Sequence, residues 1–151
     1  ISAEIEQSVF RLTNEERIRY GLSALVWDDA LAVVARDHSR DMAENGFFSH
    51  TNPAGEDPTA RAQRHGYPTR KSLGGGSYQI GIAENIAKMP TGNVVGIGYV
   101  APDAESVARA LVQGWMDSPG HRENILAEKI DHLGVGVAFD GTYYLATQNF
   151  W

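Results

Sequence analysis

The residues whose types could carry chemistry in this chain are five histidines, His38, His50, His65, His121 and His132, and one carboxylate, Glu84. Imidazoles and carboxylates together either hold a divalent cation or move protons. His50 ends the run Phe47-Phe48-Ser49-His50, just past a helix stop at Gly46, with Thr51-Asn52-Pro53 continuing a loop. Aromatics can anchor such a loop while its polar end faces a cleft; capping a turn is the equal alternative. Glu84 sits among small and apolar residues in Gly81-Ile82-Ala83-Glu84-Asn85-Ile86-Ala87, as a solvent-side strand residue or a pocket carboxylate. In a pocket it needs a partner, because an unpaired buried charge costs several kcal/mol. His132 shares a strand face with Gly134 and Gly136, whose missing side chains admit a ligand, a loop or a packed helix. His121 starts a short helix in Ser118-Pro119-Gly120-His121-Arg122. His38 lies on a helical apolar stripe and His65 at a helix end, positions that suit structural roles. No H-E-x-x-H, Walker A, G-x-S-x-G or EF-hand pattern is present, and no spacing supplies a serine with a base.

These residues need elements to position them. Ile5, Val9 and Leu12 mark a helix over about Ala3 to Tyr20, stopped by Gly21. A second helix runs from Asp28 or Asp29 to Gly46, with Leu31, Val34, Ala35, His38 and Met42 on one face. Leu22 to Trp27 connects the two. Pro58 opens a short helix to about His65. Tyr67 to Ser77, basic and then Gly-rich, reads as an exposed loop, and Gly74-Gly75-Gly76 lacks dinucleotide-site spacing. Ile80 to Ala87 reads as a short strand or an extended segment, and Pro90 to Ala101 as another Gly-rich loop. Asp103 caps a helix carrying Val107, Leu111, Val112 and Trp115, and Ser118-Pro119 starts a short one through Leu126. The period then changes from 3.6 to 2: Leu133, Val135, Val137 and Phe139 share one strand face. Asp140-Gly141 fits a two-residue hairpin turn before Thr142 to Trp151. Early helices and a terminal hairpin make an α+β layered domain.

Composition sets outer bounds. The 151 residues suit one domain, residues 1–151, able to fold on its own core. Zero cysteines exclude disulfides, thiol nucleophiles and Cys-ligated metals. A net charge of −6 argues against nucleic-acid binding, and no apolar run is long enough to span a membrane. The chain opens on Ile1 and not Met, which points to a removed upstream segment: a signal peptide, an anchor, or simply the place where the sequence was cut.

Five motifs in order carry a wider resemblance. They are Leu22-Ser23-Ala24-Leu25-Val26-Trp27-Asp28; Phe47-Phe48-Ser49-His50; Ala83-Glu84-Asn85-Ile86-Ala87; Gly114-Trp115-Met116-Asp117-Ser118-Pro119-Gly120-His121-Arg122-Glu123-Asn124-Ile125-Leu126; and His132-Leu133-Gly134-Val135-Gly136-Val137. The set resembles the CAP superfamily of cysteine-rich secretory, antigen 5 and pathogenesis-related 1 proteins, in a cysteine-free prokaryotic form. The likeness implies a three-layer α-β-α sandwich with a central antiparallel sheet and a large cleft, in an exported, extracellular or cell-surface protein. It further implies a cleft tetrad of two His and two Glu that binds zinc or another divalent cation in some members. By motif His50, Glu84 and His132 take three of the places. The fourth falls at Ser118, beside Asp117, so a glutamate is missing there and His121 is a stand-in. The expected function is binding of a metal, a peptide, a lipid or an envelope component. Two alternatives stand beside it: a metal-dependent hydrolase using Glu84, His50 and His132, and a scaffold with a vestigial cleft.

Overall fold

A computed structural model describes residues 1–151. Five helices and eight strands follow one another: α1 (Ser2–Arg19), β1 (Val26–Trp27), α2 (Asp29–Asn45), α3 (Pro58–Arg64), β2 (Arg70–Gly74), β3 (Ser77–Ile80), β4 (Ala83–Met89), β5 (Gly92–Val94), β6 (Gly98–Val100), α4 (Ala104–Met116), α5 (Pro119–Ile125), β7 (His132–Phe139) and β8 (Tyr144–Phe150). Three helices start on an aspartate that accepts an orphan backbone N–H of the first turn. Asp28 takes Leu31 N at 3.0 Å, Asp57 takes Ala60 N at 2.8 Å and Asp103 takes Ser106 N at 2.7 Å. Each such cap contributes about 1 kcal/mol.

The central sheet has the order β1-β7-β8-β4. Its three long strands run antiparallel, and the two-residue β1 joins β7 in parallel. Period-two alternation then sorts side chains between two helical layers. Leu133, Val135 and Val137 point toward α1 and α4 and close the main core with Ile5, Val9, Leu111 and Trp115. The opposite face lies under α2. Gly134 and Gly136 are required there: a Cβ on Gly134 would sit 2.3 Å from Ala32 N, and one on Gly136 2.1 Å from Arg36 N. Of the options open to these glycines, the packed helix is the one realised. The result is an α-β-α sandwich.

Without disulfides, buried polar pairs pin the layers. Arg17 is 2% exposed and donates to the carbonyls of Ser23, Ile125 and Ala127, tying α1 to the segment after α5. Glu6 joins α1 to α2 through Arg36 at 2.6 Å and to the sheet by accepting Val137 N at 3.0 Å.

Three expectations about loops are corrected. Residues in the Tyr67–Ser77 stretch form the hairpin β2–β3, and those in Pro90–Ala101 form β5–β6. Three glycines interrupt the side-chain alternation of each segment, so backbone pairing decides the structure. The β7–β8 turn does have two residues at its tip, but they are Gly141 and Thr142, one position on from the expected pair, because Asp140 N donates to the Tyr143 carbonyl at 3.0 Å. Asp140 Oδ1 also accepts the N–H groups of Thr142 and Tyr143 at 2.8 and 2.7 Å, which stabilises the turn.

Candidate functional site

The site forms where the start of β4 meets the loop after α2. Glu84 lies in the row Glu84–Asn149–Gly134 of the sheet, with its side chain on the α2 side. It is buried, and every face of its carboxylate is engaged. Arg61, from α3, donates from Nη1 to Oε2 and from Nη2 to Oε1, both at 2.9 Å. Asn149 Nδ2 donates to Oε2 at 2.8 Å, and His50 Nδ1 lies 2.9 Å from Oε1. Burial works to raise the Glu84 pKa, but the hydrogen bonds from His50 and Arg61 and the guanidinium charge outweigh it. The carboxyl is therefore held below its ordinary range.

The same groups position His50. Arg61 Nη2 donates to the His50 carbonyl at 2.7 Å, and His38 Nε2 donates to the Ser49 carbonyl at 2.8 Å. A carbonyl only accepts, so His38 carries its proton on Nε2. Burial and the nearby Arg61 charge lower the His38 pKa and keep it neutral. His38 is thus a support for the loop, in keeping with its place on the apolar stripe of α2. A carboxylate also only accepts, so neutral His50 carries its proton on Nδ1 and presents Nε2 as a bare lone pair. The His50 side chain is 50% exposed, so that lone pair belongs to the surface of the site.

His121 completes the group. Asn85 Nδ2 donates to the His121 carbonyl at 3.0 Å and ties the first turn of α5 to β4. Asn124 Nδ2 binds the Glu84 carbonyl at 3.1 Å and Asn85 Oδ1 at 2.9 Å, fixing the same turn. Burial, and then repulsion from His50, lower the His121 pKa. The two imidazoles are therefore neighbours.

His132 is not part of the group. Glu84 and His132 stand two strands and two residues apart, roughly 12 Å between Cα positions from strand spacing and rise. His132 Nδ1 lies 3.1 Å from Asp28 Oδ2, which also accepts from the Tyr67 hydroxyl at 2.5 Å, and its ring packs on Trp151 at 5.5 Å. Burial and the bond to Asp28 raise the Tyr67 pKa and keep the phenol protonated. Asp117 and Ser118 do not supply the fourth group either. Asp117 is exposed and accepts from Gln113 at 2.8 Å, and Ser118 precedes α5.

A metal centre on His50, Glu84 and His132 does not fit this arrangement. Both Glu84 oxygens already accept two hydrogen bonds each, two of the four from a guanidinium that keeps its protons. No three His, Asp or Glu side chains are grouped to hold one ion. The imidazoles of His50 and His121 remain as the free donors that reach the surface of the site, while Asn149 Oδ1 and His38 Nδ1 are unpartnered but buried. Sequence reasoning missed Arg61, Asn149 and Asn124. Arg61 had one usable signal, an arginine flanked by Ala60 and Ala62 where α3 needs an inward face.

A family model described as the cysteine-rich secretory protein family, CAP, matches residues 10–150. The chain belongs to the CAP family. Two Bacillus subtilis (strain 168) proteins are similar along almost all of this CAP domain. The uncharacterized membrane protein YlbC is 36% identical over 150 residues, 99% of this chain and 35% of its own length. The uncharacterized protein YkwD is 35% identical over 145 residues, 96% of this chain and 46% of its own. The chain thus spans less than half of either relative. An extracellular protein containing an SCP domain from Bacillus anthracis str. Ames has a crystal structure that matches with a TM-score of 0.75. The two are 35% identical, over 99% of this chain and 41% of that one. No helix of this CAP domain is long and apolar enough to cross a membrane.

Proposed function

We propose that this CAP domain is an exported binding module that recognises its ligand through His50 and His121, with Glu84 as the support of His50 and not as a general base. One observation carries this: Glu84, the buried carboxylate, has both oxygens filled by Arg61, Asn149 and His50. A general base needs a free lone pair facing the water or hydroxyl that it deprotonates. Glu84 has none, and its work is to orient His50. With Glu84 neutralised by Arg61, each imidazole in its neutral form offers an acceptor lone pair. They suit a ligand rich in N–H and O–H groups, such as the peptide or sugar of an envelope component. The extracellular description of the Bacillus anthracis protein supports export.

One feature favours a second reading. An imidazole held by a carboxylate at Nδ1 is the usual posture of a zinc-binding histidine. In that case His50 and His121 supply two donors for a divalent cation, and the ligand supplies the others.

Imidazole NMR with purified cell-wall fragments, and separately with zinc chloride, tests both. Binding predicts saturable shifts at His50 and His121, unmoved His132, and no turnover of the fragments. Zinc-induced shifts at the same two rings, absent in His50→Ala and His121→Ala, support the second reading. Turnover abolished by Glu84→Gln overturns the binding reading.

A further inference from the structure

A cavity lies beyond the Phe47-Phe48 end of the same loop, with a volume of about 280 Å³. That is near the lower end for small-molecule pockets and suits a ligand of a few heavy atoms. Phe47, Phe48, Tyr143 and Leu145 line it, and Lys88 and Asp140 stand at its edge. Phe48 is 46% exposed, a large apolar surface left uncovered next to a concavity.

The two charged groups are held in place and underused. The Lys88 ammonium sits 4.5 Å from the centre of the Tyr143 ring and 6.0 Å from that of Phe48, without a salt-bridge partner within 4.0 Å. Aromatic faces fix a cation without neutralising it. Asp140 engages only Oδ1 with the backbone of its turn, at Thr142 and Tyr143, and leaves Oδ2 free. Those backbone bonds, with a contribution from Lys88, hold the Asp140 carboxyl below its ordinary range, so it is charged. The cavity therefore combines one cation, one anion and an apolar aromatic floor.

We propose that this cavity is a binding site for a free, zwitterionic amino acid with an apolar side chain. Lys88 takes the carboxylate, Asp140 Oδ2 takes the ammonium, and Phe47, Phe48 and Tyr143 cover the side chain. A purely anionic ligand meets repulsion from Asp140, and a purely cationic one from Lys88; only a ligand bearing both charges satisfies both. The site is separate from His50 and His121 and stands or falls without them.

Backbone amide NMR with leucine, N-acetyl-leucine and leucinamide tests it, because the derivatives each remove one charge. Leucine is expected to shift Phe48, Lys88 and Tyr143 saturably. Each derivative is expected to bind about two- to fivefold more weakly, the loss typical of one solvent-exposed ion pair. Lys88→Gln, at an exposed position, makes leucine and leucinamide bind alike. Asp140→Asn keeps the Oδ1 acceptor for the turn and makes leucine and N-acetyl-leucine bind alike. Absence of saturable shifts with leucine overturns the proposal. So does equal binding of all three compounds, or full discrimination retained by both variants.

Discussion

Replacing Arg61 by methionine is the sharpest probe of how the site is held. The guanidinium is 2% exposed and makes two bonds to the Glu84 carboxylate, both at 2.9 Å, and one to the His50 carbonyl at 2.7 Å. Methionine fills much of the volume but leaves a buried carboxylate with only Asn149 and His50. Breaking a buried pair from one side costs about 3–5 kcal/mol. For a domain of this size that is a fall in Tm of about 6–20 °C. The pH dependence gives a second, independent sign. In the wild type the depressed Glu84 pKa contributes stability above the unfolded value, which is lost as pH falls through the folded one. In the variant burial acts with little opposition, so the folded pKa rises above the unfolded value. Stability then increases as pH falls, and the gap between the two proteins narrows from pH 7 toward pH 5. Urea unfolding at both pH values measures the gap. A difference below about 1 kcal/mol, equal at both, refutes the view of Arg61 as the counter-charge of Glu84.

Three further outcomes follow from the packing and electrostatics. Gly136→Ala is expected to destabilise by at least about 3 kcal/mol, the upper range for overpacking, since α2 must move off the sheet. Denaturant melts check this, and a loss under about 1 kcal/mol shows a looser contact than the 2.1 Å approach implies. The lowered His38 pKa means that the unfolded chain binds more protons near pH 6, so His38 lowers stability as pH falls below about 6.5. His38→Gln should flatten that part of the stability–pH curve, and an unchanged slope contradicts a buried neutral His38. His50→Ala should raise the His121 pKa by removing the repulsion that His50 exerts on it when both rings take up protons; an NMR titration of His121 that does not move separates the two rings.

Periodicity alone determined most of the frame. Apolar spacing marked α1, α2 and α4, Asp103 announced a cap, and strict alternation from Leu133 to Phe139 announced β7. Glycine at Gly134 and Gly136 left a helix, loop or ligand as options, and only the third dimension selected α2. The hairpins β2–β3 and β5–β6 were hidden because glycines carry no side-chain pattern. For the site, His50 and Glu84 were legible as polar residues in apolar settings, but their partners were not. Arg61, Asn149 and His38 are distant in sequence from Glu84, and what unites them is the need to satisfy one buried charge. Sheet register also separated His132 from the group, because two strands and one pleat repeat place it beside Asp28. Residue types thus determined which groups could do chemistry, and tertiary structure decided which meet, since hydrogen-bond geometry and burial exist only after the layers close.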